Sequence, residues 1–161
     1  MRPQFQQGLK PSILDRLIDP ESAGTAMMQG YSARQMYAAV LRDLEDLLNV
    51  RQTYRDLPEH YAEARDSILL YGLPDLASVE SNSAEARAEI GRAIQKVIER
   101  FEPRLRDLNV VLLNPEEDRS AQSLRFRVDA RLNVDPAPDV AFDTILEVAS
   151  GHYVVTPAAH E

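Results

Sequence analysis

The sequence predicts an α+β domain, with helices packed on one face of a small, mainly antiparallel β-sheet, and three observations carry that prediction. Ile90, Ile94, Val97, Ile98 and Phe101 recur at steps of four, three, one and three, which places them on one helical stripe. Further on the period becomes two: Leu124, Phe126, Val128, Ala130, Leu132 and Val134 alternate with Arg125, Arg127, Asp129, Arg131 and Asn133, the pattern of a half-buried strand. The change falls at Phe101-Glu102-Pro103-Arg104-Leu105. There a proline without an amide hydrogen holds Glu102 out of α geometry and ends the helix. Helices first and strands after is the order of an α+β domain.

Taken from the N-terminus, residues 1–11 read as a flexible arm. Ser12-Ile13-Leu14-Asp15-Arg16-Leu17-Ile18-Asp19 reads as a short amphipathic segment with Leu14, Leu17 and Ile18 on one side, stopped by Pro20. Too short to be stable alone, it docks either on its own domain or on a partner. Residues 21–30 form a linker, so the arm extends over 1–30, a single domain over 31–156 and a tail over 157–161. Ser32 with Gln35 has capping-box spacing and opens a helix of about five turns ending near Asn49. Leu57-Pro58 is a break, and a shorter helix over 62–70 closes at Tyr71-Gly72-Leu73-Pro74-Asp75, with Gly72 as cap. Ser81, Asn82 or Ser83 caps the long helix. Leu108 to Leu113 is a nearly continuous apolar run, expected as a strand covered on both faces. After the acidic turn at 114–118 come the alternating strand, a second strand through Phe142, Thr144, Leu146 and Val148, a hairpin at Ser150-Gly151, and a short edge strand at Tyr153-Val154-Val155. Antiparallel pairing of the two longer strands brings Arg125, Arg127 and Arg131 across from Asp143 and Glu147. Any of these arginines left unpaired is a further candidate contact.

The charges at the turn need a separate account. Glu102 follows the last helical turn, where unsatisfied carbonyls disfavour a carboxylate by up to about 1 kcal/mol. Arg104 can neutralise it internally, or it can project outward and pair with another molecule. Both readings stand on the residues alone.

Composition narrows the chemistry. There is no cysteine, hence no disulfide and no thiolate metal site. His60, His152 and His160 share no ligand spacing, and no metal site or cofactor is expected. The start of the chain lacks the apolar core of a leader, so a cytoplasmic protein is expected. A formal charge of −8 opposes nucleic acid and anionic lipid. Arginine outnumbers lysine 16 to 2, weak support for a partner-binding surface. A glycosidase needs two carboxylates about 5–9.5 Å apart; Glu102 with Asp75, Glu116, Glu117 or Asp118 could be drawn as such a pair, but with 26 acidic residues the choice carries little information. No nucleophile elbow or glycine-rich phosphate loop occurs. The residues favour an interaction module over an enzyme, and no catalytic residue is assigned.

Four segments in order resemble a known family. Ser12-Ile13-Leu14-Asp15-Arg16-Leu17, the helix end Leu47-Leu48-Asn49-Val50-Arg51, the turn Tyr71-Gly72-Leu73-Pro74-Asp75 and the elbow Glu102-Pro103-Arg104 are similar to motifs of the baseplate-wedge proteins of contractile injection machines. That family includes the TssE subunit of bacterial type VI secretion and the lysozyme-like wedge proteins of phage tails. Val50 stands where relatives carry threonine. The resemblance implies a lysozyme-like wedge fold and a scaffold role in a cytoplasmic baseplate, linking the wedge to the contractile sheath and helping sheath assembly to start. It implies as partners the wedge subunits TssF, TssG and TssK and the sheath subunits TssB and TssC. Glu102, Pro103 and Arg104 are expected to orient the sheath contact. Leu14, Arg16, Leu17 and Ile18 are expected at the wedge contact, while Leu48, Asn49, Arg51, Tyr71, Gly72, Leu73, Pro74 and Asp75 form the structural motif. Peptidoglycan hydrolysis, suggested by the family's lysozyme label, is the competing expectation.

Overall fold

The computed structural model describes residues 11–18, 32–54, 57–58, 60–65, 67–74, 83–113, 123–134 and 138–158. The linker, the acidic turn at 114–118, Asp75, Ser81 and Asn82 lie outside the described residues, as do the side chains of Leu14, Arg16 and Ile18. The chain forms two compact units, residues 1–40 and 41–161.

In the first unit, α1 (Ile13–Ile18) is capped by Ser12. The Ser12 hydroxyl donates to Asp15 Oδ2 at 2.7 Å and accepts from the Asp15 amide at 3.0 Å, a reciprocal box that orders the single turn. Asp15 is buried, whereas Ile13 and Leu17, four residues apart on one face, are 76% and 77% exposed. α2 (Ala33–Asn49) opens with the expected box, Gln35 accepting from the Ser32 amide and hydroxyl at 2.9 Å each.

The second unit has α4 (Ala84–Phe101) and the C-terminal part of α2 packed on one face of a four-stranded antiparallel sheet, as expected for α+β. Its strands are β1 (Leu105–Leu113), β2 (Ser123–Leu132), β3 (Asp139–Glu147) and β4 (His152–Pro157), in the spatial order β1-β2-β3-β4. The period-two pattern of β2 is realised from Leu124 to Leu132: Leu124, Phe126, Val128, Ala130 and Leu132 are buried and the arginines lie on the other face, while Asn133 and Val134, read as its continuation, lie in the bend that follows. With Phe142, Leu146, Tyr153 and Val155 they form the sheet's side of the core; Ile90, Ile94, Val97, Ile98, Leu44, Leu47 and Leu48 form the helical side. Burying a Phe126 or Leu124 side chain contributes about 1.5–3 kcal/mol. Ser83 caps α4, accepting from the Ala86 amide at 3.0 Å.

Three further expectations need correction. The short helix over 62–70 is two pieces, α3 (Ala62–Arg65) and a 3-10 turn (Ile68–Leu70), because Ser67 caps a fresh turn by accepting from the Leu69 amide. The strand after the elbow begins at Leu105 rather than Leu108, and it is an edge strand with only one face covered, Val111 being 43% exposed. What hid its alternation is a bulge: Arg106 pairs with Arg131 and Asn109 with Asp129, so one extra residue is inserted, and Asp107 takes φ 53. Finally, Val148 belongs to the β3–β4 turn and not to β3.

Candidate functional site

The long helix ends as its sequence dictates. Glu102 is its C-cap with φ −119 and ψ 75, its amide donating to the Ile98 carbonyl at 2.8 Å before Pro103 turns the chain. The Leu105 amide returns to the Glu102 carbonyl at 3.1 Å, and β1 starts there. Asn133 closes the elbow from the far end of β2: its amide donates to the Arg104 carbonyl at 2.7 Å and its side chain to the Pro103 carbonyl at 3.3 Å.

Arg104 folds back rather than outward. Its Nε donates to Glu102 Oε1 at 2.6 Å, its backbone amide reaches the same oxygen at 3.2 Å, and its Nη2 meets Glu102 Oε2 and, at 2.7 Å, Asp43 Oδ2 of α2. Asp43 also accepts from Arg42 at 2.7 Å. Burial opposes the charge of Arg104, but the hydrogen bonds and charges of Glu102 and Asp43 outweigh it, and its pKa is raised above the ordinary guanidinium value. The remaining nitrogen, Nη1, is buried without a hydrogen-bond partner among the described residues. Glu102 is 4% exposed with both carboxylate oxygens on Arg104, while Pro103 is exposed. Of the other acidic residues weighed as glycosidase partners, none lies among those described, and among the described residues no cluster suits a metal.

The second motif meets the elbow through an aromatic contact. Tyr71 stands edge-on to Phe101 with ring centroids 5.4 Å apart. Burial first, then the carboxylates of Asp43, Asp46 and Glu102, raise the pKa of the Tyr71 phenol, with Arg104 opposing. Gly72 is required by a close approach: at φ +98, a Cβ would lie 2.2 Å from the Val50 carbonyl oxygen. Around it the Leu73 amide donates to the Val50 carbonyl at 2.8 Å and the Gln52 amide to the Leu73 carbonyl at 2.9 Å. The Gln52 side chain adds bonds to the Leu70 and Gly72 carbonyls at 3.0 and 2.7 Å. Arg51 and Leu73 thus sit in a parallel bridge, with Leu48 and Leu73 buried and Pro74 half-buried beside them.

Asn49 has a role the sequence did not reveal. Together with Glu45 it covers the outer edge of β4: Asn49 donates to the Tyr153 carbonyl at 2.8 Å and accepts from the Tyr153 amide at 2.9 Å, and Glu45 accepts from the Val155 amide at 2.9 Å. The spacing of four between Glu45 and Asn49 puts them on one helical face, a legible signal, but nothing local names their target. Asp43, the third member of the elbow network, was likewise missed.

The arginines of β2 are largely used within the sheet. Arg127 pairs with Asp143 at 3.0 Å and Arg131 with Asp139 at 2.7 Å, each with its register partner; Arg125 lies across from Ile145. Of the expected wedge-contact residues, Leu17 is placed on the exposed face of α1; the side chains of Leu14, Arg16 and Ile18 lie outside the described residues.

A sequence model of the baseplate wedge protein gp25 family matches residues 34–137, from the start of α2 through the Tyr-Gly-Leu-Pro turn and the elbow. Comparison with curated proteins and with solved structures gave no match. No helix among the described residues is long and apolar enough to cross a membrane. With the elbow, the turn and the α+β sheet all inside or adjoining the matched stretch, this chain belongs to the baseplate wedge protein gp25 family, the family of TssE, and has a structural role in a phage-tail-like baseplate.

Proposed function

We propose that this protein links a type VI secretion baseplate wedge to the contractile sheath, receiving a sheath strand along β1, beside Glu102-Pro103-Arg104. One observation carries the reading: the two edges of the sheet are unequal. β4 has its outward amides and a carbonyl taken by Asn49 and Glu45. At β1, among the described residues, the one comparable contact comes from Gln95, whose side chain donates to the Leu108 carbonyl at 3.3 Å. An open edge accepts a strand through main-chain hydrogen bonds. The elbow fixes where that strand meets the domain, because Asn133, Glu102 and Asp43 hold Pro103 and Arg104 at the start of β1. Its part in the sheath contact is positional: Arg104 turns inward and Pro103 is the exposed member.

The wedge side is assigned to α1, whose Ile13 and Leu17 face is exposed, with Leu14, Arg16 and Ile18 in the same segment and TssF, TssG and TssK as partners. TssB and TssC are the sheath partners, in a cytoplasmic assembly, and the protein has no enzymatic step of its own.

The test is co-purification with wedge and sheath subunits. Asn109→Lys places a lysine on the β1 edge opposite Asp129, where a favourable cross-strand pair preserves the fold while the edge charge discourages strand addition. Loss of sheath with retention of wedge is the expected result. Undiminished sheath recovery by a folded Asn109→Lys protein contradicts the reading.

A further inference from the structure

A groove of about 470 Å³ runs beside α4 and is separate from both the elbow ion pairs and the β1 edge. One wall is a single stripe of α4, from Glu89 through Arg92, Lys96 and Val97 to Phe101, at steps of three, four, one and four. At 1.5 Å per residue that stripe is about 18 Å long. The connection between α2 and α4 contributes Leu57 and Leu70 to the lining, which with Val97 and Phe101 supply its apolar surface, Leu70 and Val97 being the more deeply buried. Just outside, the 3-10 turn presents Ile68 at 86% and Leu69 at 41% exposure.

The rim has a sign. Arg92 and Lys96 are exposed, and among the described residues neither has an ion pair. Arg100, further along the same wall, is already engaged, and among the described residues Glu89 is the single carboxylate in the lining. A local row of cations over an apolar floor, on a chain of net charge −8, is the reverse of the molecule's overall field. An apolar centre with a charged rim is the anatomy of a protein interface.

The backbone decides what kind of segment fits. An extended strand needs free main-chain partners, and the groove offers few: α4 satisfies its own amides, and the facing wall is spent on Gln52, whose amide and side chain already hold the Leu73, Leu70 and Gly72 carbonyls. A helix brings its own hydrogen bonds, and about 18 Å matches about 12 helical residues. We infer that this groove docks an acidic amphipathic helix of a partner protein, its apolar face on Leu57, Leu70, Val97 and Phe101 and its carboxylates against Arg92 and Lys96.

The test uses the full chain and two fluorescein-labelled helical peptides of about 14 residues. One carries leucines on one face flanked by glutamates; the other keeps the leucines and replaces each glutamate with lysine. Anisotropy titrations should show the glutamate peptide binding at least about tenfold more tightly. That preference opposes the chain's net charge, which alone favours the lysine peptide. It should vanish in Arg92→Glu/Lys96→Glu and, should that variant melt lower, in the milder Arg92→Gln/Lys96→Gln. Equal binding, preference for the lysine peptide, no binding of the glutamate peptide up to about 100 µM, or a preference that survives both variants overturns the inference. So does sedimentation showing a dimer that the charge reversal dissociates, since the groove would then hold a second copy of the chain.

Discussion

Asn49 at the end of α2 grips Tyr153 of β4 by both backbone groups, its amide nitrogen 2.8 Å from the carbonyl and its carbonyl oxygen 2.9 Å from the amide. A side chain thereby substitutes for the next strand of the sheet, and with Glu45 at the Val155 amide it closes the β4 edge. Among the described residues β1, beside the elbow, has less side-chain cover, the Gln95 bond to the Leu108 carbonyl.

Asn49→Ala removes both bonds and leaves Tyr153's outward groups without partners. We expect a loss of about 2–3 kcal/mol by urea denaturation. Because it uncovers a strand edge, the variant should also self-associate with rising concentration in sedimentation experiments; a variant that stays monomeric would show that the edge has further cover.

At the elbow, Arg104→Ala leaves Glu102, 4% exposed, without its cation. The expected cost is about 3–5 kcal/mol. Asp43→Asn should cost about 1 kcal/mol, because Asp43 is a quarter exposed and Arg104 keeps its bonds to Glu102. A double-mutant cycle between positions 102 and 104 should give strong coupling, and additivity would contradict the ion-pair account.

Gly72→Ala places a methyl 2.2 Å from the Val50 carbonyl oxygen at a positive φ. Both the strain and the clash with backbone act together, so a loss of at least about 2 kcal/mol is expected, read as a lowered melting temperature. A neutral result would mean the α2–turn junction can separate without cost.

Tyr153 supplies a pH dependence. Burial pushes its phenol up to about 12 from 10.0, with Arg51 opposing. The folded state therefore holds this proton more tightly than the unfolded chain does. The stabilisation is fully present below about pH 10 and declines as pH rises through about 12, by about 2–3 kcal/mol in all. Tyr153→Phe, which keeps the buried ring, should flatten the alkaline decline; the raised Tyr71 leaves a residual slope.

Much of this was legible in the sequence because the determinants are local. Ser32 with Gln35, the break at Pro103, and the alternation from Leu124 to Leu132 each specify their own geometry. Gly72 was legible as a cap, though the reason it must be glycine is the Val50 carbonyl, distant in sequence. The bulge at Asp107 was not legible, since one inserted residue erases the period that would announce β1 at Leu105. Nor were Asp43 and Glu45, two acidic residues among 26 whose partners lie 61 and 110 positions away. For the elbow the residues left two readings, inward or outward pairing of Arg104; the inward one holds, on Glu102 nearby and on Asp43 of α2, which the local sequence does not name.

The central claim, that a sheath strand joins at β1 and not at β4, is tested most directly by hydrogen exchange on the full chain with and without sheath subunits. Amides between Asn109 and Leu113 should gain protection on binding, while those of Tyr153 and Val155, already held by Asn49 and Glu45, should exchange at unchanged rates. New protection at 153–155 with none at 109–113 would contradict it.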